Sequence, residues 1–377
     1  MLIGIVAGET SGDHLGAGLV AKIKKQHPQA QFFGIGGPRM RALGVESIVP
    51  MDTITVMGLE ELFSKLYNVL KTRRTLLKRF NELKPDVFVG VDVPDFNLWL
   101  EERLRVAGIP TVHLVSPTVW AWRGYRVHRI RRAVSHMLAL FPFEADYFRD
   151  NNVPVTFIGH PLAADIEQGD EKKTIRERMG IAVDTSVLAI LPGSRSSEIK
   201  RLGPVFIETA GVLKKQNPNL KLLIPCASAE IKNQLEKIID PALTITLCDG
   251  QSREVMIASD VVLLASGTAA LEAALLQRPM VVAYKVSMAT YLLVKLFGHV
   301  DFYSMPNHLV TPSVVPEFIQ NNAVSKRIVP AVTDLLERPD LRREISSKFS
   351  EIHKTLKQPT IAMAAEIVLK LAHKRGG

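Results

Sequence analysis

Short, almost wholly apolar runs punctuate this chain, and stretches with helical spacing of apolar positions separate them. In the first half the runs are Leu2 to Ala7, Val87 to Val91, Thr111 to Val115, Met137 to Leu140 and Val155 to Ile158. In the second half they are Val187 to Leu191, Lys221 to Ile224, Ala242 to Leu247, Val261 to Leu264 and Val281 to Tyr284. Continuous apolar runs of this length mark strands buried on both faces of a parallel sheet. Helical patterns such as Val205 to Lys215 and Ala269 to Leu276 lie between them. The polar stretch Glu167 to Thr174 reads as an interdomain connection or surface loop, and helical patterning runs from Ser325 to the end.

Two of the runs end alike. Leu2 to Ala7 breaks into Gly8-Glu9-Thr10-Ser11-Gly12-Asp13, and Val187 to Leu191 breaks into Pro192-Gly193-Ser194-Arg195-Ser196-Ser197-Glu198. A strand stopping at such a turn aims backbone N–H groups and a helix N-terminus at whatever sits above it, which suits phosphate or developing negative charge. Neither turn is a strict G-x-G-x-x-G or a Walker lysine loop. Two copies predict an α/β protein of two Rossmann-like domains facing each other over a cleft. The expected divisions are 1–165, 166–345 and a helical tail, 346–377, crossing back to the first domain.

Composition adds limits. The 377 residues, 47% hydrophobic and 23% charged, suffice for two real cores. The two cysteines, Cys226 and Cys248, lack metal-ligand companions, which argues against a disulfide framework or zinc site and for a reducing cytoplasm. The chain enters its first strand with no charged prelude, so no signal peptide is expected. No stretch approaches the roughly 20 apolar residues of a membrane span. A formal charge of +9 calls for anionic partners. No zinc-finger spacing, RNP-like strand or basic heptad is present, so nucleic acid is not among the partners expected.

Five segments occur in order: Ala7 to Asp13, Gly90-Val91-Asp92-Val93-Pro94-Asp95-Phe96-Asn97, Ser116-Pro117-Thr118-Val119-Trp120-Ala121-Trp122-Arg123, Leu191 to Arg195, and Ala265-Ser266-Gly267-Thr268-Ala269-Ala270-Leu271-Glu272. Together they resemble the lipid-A-disaccharide synthase family, glycosyltransferases of the GT-B fold, over nearly the whole chain. The resemblance implies transfer of a sugar from UDP-2,3-diacylglucosamine to 2,3-diacylglucosamine 1-phosphate. The products would be the β-1′,6-linked disaccharide 1-phosphate and UDP, with inversion and with no metal or other cofactor. It further implies a cytoplasmic enzyme, peripheral on the inner face of the inner membrane. Alternatives are another GT-B transferase with a lipid-linked acceptor, a UDP-sugar 2-epimerase, or a non-catalytic nucleotide-sugar or membrane-binding protein.

Inverting displacement needs a base at the acceptor hydroxyl and cations or N–H groups at the departing diphosphate. Asp92, just past an apolar strand, is the preferred base, though an Asp there also suits helix capping. Glu9 is placed to assist or to orient the acceptor, while Asp95 reads as a cap and Asp13 as a first-turn helix residue. Arg195, beside the Gly193-Ser194 backbone, is the expected diphosphate grip. Ser266, Gly267 and Thr268 repeat that logic, and the family resemblance assigns Glu272 to the ribose and Asn307 to the donor side.

Trp120, Trp122 and Arg123 could meet a sugar face, an acyl chain or a phosphate, or could pack in a core. Leu59, Leu62, Phe63, Leu66 and Leu70, interleaved and followed by Lys65, Lys71, Arg73, Arg74, Lys78 and Arg79, form an amphipathic basic pattern. It fits either an anionic membrane surface or ordinary packing on the sheet. Tyr291 to Phe297 is a second apolar candidate, and His160 is expected to shape the entry to the interdomain hinge.

Overall fold

A computed structural model describes residues 1–54, 59–167, 169, 171–288, 291 and 301–376, without the side chains of 59–66 and 375–376. The chain divides into two units, Met1–Ala164 with Leu356–Gly377, and Asp165–Thr355.

The first unit is built on seven parallel strands: β1 (Leu2–Ala7), β2 (Gln31–Ile35), β3 (Val45–Ser47), β4 (Val87–Val91), β5 (Thr111–Leu114), β6 (His136–Ala139) and β7 (Val155–Phe157). Their order is β3-β2-β1-β4-β5-β6-β7. All five residues of β4 are buried, as expected of a strand covered on both faces. The helix Leu59–Leu83 lays Phe80 between Phe33 and Phe88, with ring centroids 5.0 and 5.1 Å away. The order reverses between β1 and β4, which pair from Ile3↔Val87 to Ala7↔Val91. A sheet of this kind opens a crevice beyond the carboxyl ends of its strands at that reversal.

The second unit repeats the plan with β8 (Val187–Leu191), β9 (Lys221–Cys226), β10 (Thr246–Asp249), β11 (Val261–Ala265), β12 (Met280–Tyr284) and β13 (Glu317–Ile319). The order is β10-β9-β8-β11-β12-β13, with the reversal between β8 and β11. Each Gly-rich turn therefore follows the first strand of its sheet, beside that sheet's reversal.

Several elements depart from the sequence reading. Strands β2, β3 and β13 are not among the runs read from the sequence: β2 carries Phe32, Phe33 and Ile35 around Gly34, and β3 and β13 are three residues each. Strand β10 begins four positions after Ala242, whose amide is held in a turn by Asp240 at 2.9 Å. The polar stretch Glu167 to Thr174 runs into a helix, Glu171–Arg178, pinned by Lys172 and Arg176 to Asp260 at 2.6 and 3.0 Å. Helix Pro339–Leu356 spans the expected division at 345/346: Ser346 donates to the carbonyl of Gln277 at 2.8 Å, and Phe349 and Ile352 are buried. The last helix, Thr360–Gly376, lies in the first unit against Thr10–Gln26, where His27 and His373 meet with ring centroids 5.5 Å apart.

Candidate active site

In the first unit the turns after β1 and β4 are tied together by one carboxylate. The amide of Gly8 donates to Oδ1 of Asp92 at 2.9 Å and the amide of Glu9 to Oδ2 at 3.1 Å. Asp92 does not cap the helix that follows it, Pro94–Val106, whose N-cap is Val93. It serves instead the start of Thr10–Gln26, whose N-cap is Glu9. Burial pushes the Asp92 carboxyl up to about 7, against the opposing pull of the Gly8 and Glu9 amides and of His113; the Glu9 charge raises it further. A carboxyl so tuned can take a proton near neutral pH.

The backbone here is strained. Asp92 and Val93 both have positive φ, 55° and 38°, and Val115, just beyond β5, has φ 76°. β-Branched residues in the left-handed region cost about 1–3 kcal/mol each and gather at functional sites. Glu9 itself is exposed above this turn. Asp13 is buried and receives the amides of Arg39 and Met40 at 3.0 and 3.1 Å. Asp95 is no cap: it is exposed and paired with Arg126.

Trp120 and Phe143 stack edge to face at 4.9 Å, Phe143 lies over Phe141, and Phe141 lies against His160 at 5.3 Å. Nε1 of Trp120 donates to Oε1 of Glu144 at 3.3 Å. Glu144, which the sequence reading missed, is buried, and that burial lifts its carboxyl to about 7. Burial also drives His160 down to about 4, and its Nδ1 accepts the Leu162 amide at 3.2 Å, so the ring is neutral. Arg123 lies 3.9 Å above the Trp122 ring. Leu62, Phe63 and Leu66 fall in helix Leu59–Leu83, but their side chains lie outside the described residues, as does 292–297.

In the second unit a cavity of about 530 Å³ opens at the reversal between β8 and β11. Gly193, Ser194, Arg195, Ser266, Gly267 and Thr268 line it, together with Cys226, Gln251 and Tyr284. Gly193 has φ 128°, and a Cβ there would lie 2.4 Å from Oε2 of Glu198. The amides of Ser194 and Arg195 are not open toward the cavity. Both donate to Oε2 of Glu198, at 2.8 and 3.2 Å, in a capping box at the start of helix Ser196–Gln216. The Arg195 side chain is 80% exposed, with its Nη1 3.9 Å from Glu198.

Two expected donor residues are engaged elsewhere. Glu272, in helix Thr268–Leu275, pairs with Arg253 at 3.0 Å and is not among the cavity's lining residues. Asn307 is buried: its amide nitrogen donates to the Val315 carbonyl at 2.9 Å and Glu317 at 2.7 Å, and its oxygen receives the amides of Val314 and Val315. It braces a loop rather than facing the cavity. The unanticipated centre of that loop is Glu317, which also receives the Tyr303 amide at 2.7 Å and the Ser304 amide and hydroxyl at 3.0 and 2.6 Å. Tyr303 in turn accepts the Ser266 hydroxyl at 2.6 Å, which joins this brace to the cavity wall.

Two parallel Rossmann-like units, each with a polar turn cluster at its reversal, make up the GT-B class of fold. Acinetobacter baumannii MurG superposes with a TM-score of 0.61 at 14% identity, covering 98% of this chain and 99% of that one. The UDP-GlcNAc 2-epimerase of Neisseria meningitidis, solved bound to UDP-GlcNAc, gives 0.63 at 14% identity, covering 99% and 100%. The sequence model of the lipid-A-disaccharide synthetase family matches residues 3–371. The lipid-A-disaccharide synthases of Pseudomonas paraeruginosa (strain PA7) and Hahella chejuensis are each 45% identical over 375 residues. These matches cover 99% of this chain and 98% and 94% of those proteins. The chain belongs to the lipid-A-disaccharide synthase family.

Proposed function

We propose that this enzyme transfers 2,3-diacylglucosamine from UDP to 2,3-diacylglucosamine 1-phosphate, yielding the β-1′,6-linked disaccharide 1-phosphate and UDP. The observation that carries the mechanism is the buried Asp92 carboxyl, lifted to about 7 at the reversal of the first sheet. Ionised Asp92 takes the proton of the acceptor hydroxyl as that oxygen bonds to the donor's anomeric carbon. The bond from that carbon to the UDP phosphate oxygen breaks, and the centre inverts. Glu9 orients the acceptor. The leaving diphosphate goes to Arg195 and the Ser266-Gly267-Thr268 turn, whose groups favour developing negative charge.

The acylated substrates and the basic helix Leu59–Leu83 fit an enzyme working at an anionic membrane surface from the cytoplasmic side. No helix among the described residues is long and apolar enough to cross a membrane, which fits a peripheral mode. Acceptor-dependent UDP release in detergent, with diacylated donor and acceptor, tests the reaction. Release that needs both lipids and yields a disaccharide is expected. Turnover of the nucleotide sugar without acceptor, or none with both lipids present, would overturn the reading.

A further inference from the structure

Helix Pro94–Val106 starts just past Asp92 and shows two different faces. Its inner face is spent on the sheet: Asn97 donates to the carbonyl of Asp92 at 2.9 Å, and Oε1 of Glu101 lies 2.7 Å from Nδ1 of His113 in β5. Its outer face gathers arginines from its neighbours. Arg73, from helix Leu59–Leu83, donates to the carbonyl of Asp95, and its guanidinium lies 5.3 Å from the centre of the Phe96 ring and 5.6 Å from that of Trp99. Arg103 lies 3.7 Å over the same Trp99 ring. Arg126, whose side chain is only 15% exposed, pairs with Asp95, which is 74% exposed. Arg129 donates to Glu102 at 3.1 Å.

This seam holds more positive charge than its carboxylates answer. Those that the arginines meet are Asp95 and Glu102, and Glu102 is shared with Arg132 at 3.4 Å. Neither Arg73 nor Arg103 has a carboxylate partner among the described residues, and Nε of Arg73 is buried there with no hydrogen-bond partner. Burial, and then the charges of Arg129 and Arg103, push the Arg73 guanidinium below its ordinary value against the pull of Asp95. Like charges held together in a partly dry seam repel, and a seam built only to pack helices is served as well by apolar side chains. Planar guanidinium groups are the ones that grip a phosphate through paired N–H donors.

We propose that Arg73 and Arg126 form the subsite for the 1-phosphate of the acceptor, with Asp95 holding Arg126 in place until that phosphate arrives. The proposal rests on the reaction and the base assigned above. The acceptor is one sugar ring with the attacking hydroxyl at one end and the phosphate at the other, so a base at Asp92 calls for cations close by. Asp95 stands three positions past Asp92, in the first turn of the helix. Its carboxylate competes with phosphate for Arg126, and removing it frees the cation.

The test compares kcat/KM for 2,3-diacylglucosamine 1-phosphate with that for its dephosphorylated form, in neutral detergent micelles free of anionic lipid. Wild type favours the phosphorylated acceptor by ~100-fold, the worth of two charge-assisted grips. Arg73→Gln and Arg126→Gln each lose about 10-fold of that preference, through the acceptor KM rather than the donor KM. Asp95→Asn acts in the opposite sense and lowers the KM of the phosphorylated acceptor several-fold. Because Asp95 is exposed, this variant keeps the test open should an arginine variant fail to fold. A brace between helices would instead weaken both acceptors alike. Equal losses on the two acceptors in folded Arg126→Gln, or a raised acceptor KM in Asp95→Asn, overturn the proposal. So does a full phosphate preference in arginine variants that bind phosphatidylglycerol vesicles less well, since the arginines then serve bulk anionic lipid. Wild type that turns over the nucleotide sugar without acceptor overturns the reaction itself. Wild type that needs the acceptor, with variants that keep its phosphate preference, removes only the present inference.

Discussion

The amide of Gly8 donates to Oδ1 of Asp92 at 2.9 Å across 84 positions of sequence, so the turn ending β1 and the turn ending β4 share one carboxylate. The second amide, from Glu9, fixes the other oxygen at 3.1 Å. With both oxygens held, the direction of the base follows the N-terminus of Thr10–Gln26 rather than its own side-chain rotamer alone. Gly12 completes the seat, since a Cβ there would come within 1.8 Å of Oδ2.

Gly12→Ala is therefore expected to lower kcat by about 100-fold, because a displacement near 1 Å in a reacting group costs that much. Gly12 sits inside a helix, where alanine is intrinsically favoured by about 1 kcal/mol, so the fold should survive. Steady-state kinetics beside a thermal melt check this. A kcat within twofold of wild type would show that Asp92 does not need its seat.

The raised Asp92 carboxyl gives two pH effects of opposite benefit. A base must be ionised, so kcat/KM should fall tenfold per unit below about pH 7 and level off above it. For stability the sign is reversed. The folded state holds this proton up to about 7, whereas the ordinary value is 3.8, so stability declines as pH rises through that window. Relative to Asp92→Asn, wild type should lose on the order of 2–3 kcal/mol between pH 5 and 8. Urea unfolding of both proteins at the two pH values measures it, and equal slopes would contradict the shift.

The legible features were those written in contiguous residues. Val87 to Val91 announces itself because a strand covered on both faces must be apolar throughout, and Asp92 stands out as the first charge beyond it. The hidden features depend on partners distant in sequence. Nothing around Glu101 names His113, and nothing around Glu317 names the four donors from Tyr303, Ser304 and Asn307 that converge on it. Positive φ at Val93 and Val115 runs against the preference of valine itself, so tertiary contacts must impose it. Glu198 had a readable signal, a glutamate three positions after the N-cap Arg195, yet the small residues before it suggested open amides instead.

Asn307 illustrates the difference in a measurable way. Its side chain makes four hydrogen bonds within its own loop, two donated and two received. Asn307→Ala leaves the Val314 and Val315 amides and part of Glu317 unsatisfied, at about 1–3 kcal/mol for a buried group. The expected outcome is a lower melting temperature, with activity recovering toward wild type at temperatures where the variant is fully folded. Undiminished stability with a large rise in donor KM would return Asn307 to the donor site.

At the second sheet, Glu198 and a diphosphate compete for the same N–H groups. The Ser194 and Arg195 amides already serve the Glu198 carboxylate, at 2.8 and 3.2 Å, and Arg195 reaches out beside them. Removing Arg195 takes away a cation that the exposed loop does not need for folding, since a largely solvated side chain adds little to stability. Arg195→Ala should thus weaken UDP binding by about 10- to 100-fold, the worth of a charge-assisted contact, with an unchanged melting temperature. Glu198→Gln keeps the shape of the cap and removes its negative charge, so UDP should bind several-fold more tightly while the helix start loosens by about 0.5–1 kcal/mol. Calorimetric titration of UDP into the three proteins ranks them. Wild-type affinity in Arg195→Ala would take the diphosphate away from this turn, and weaker binding in Glu198→Gln would make the carboxylate a brace for the site instead of its competitor.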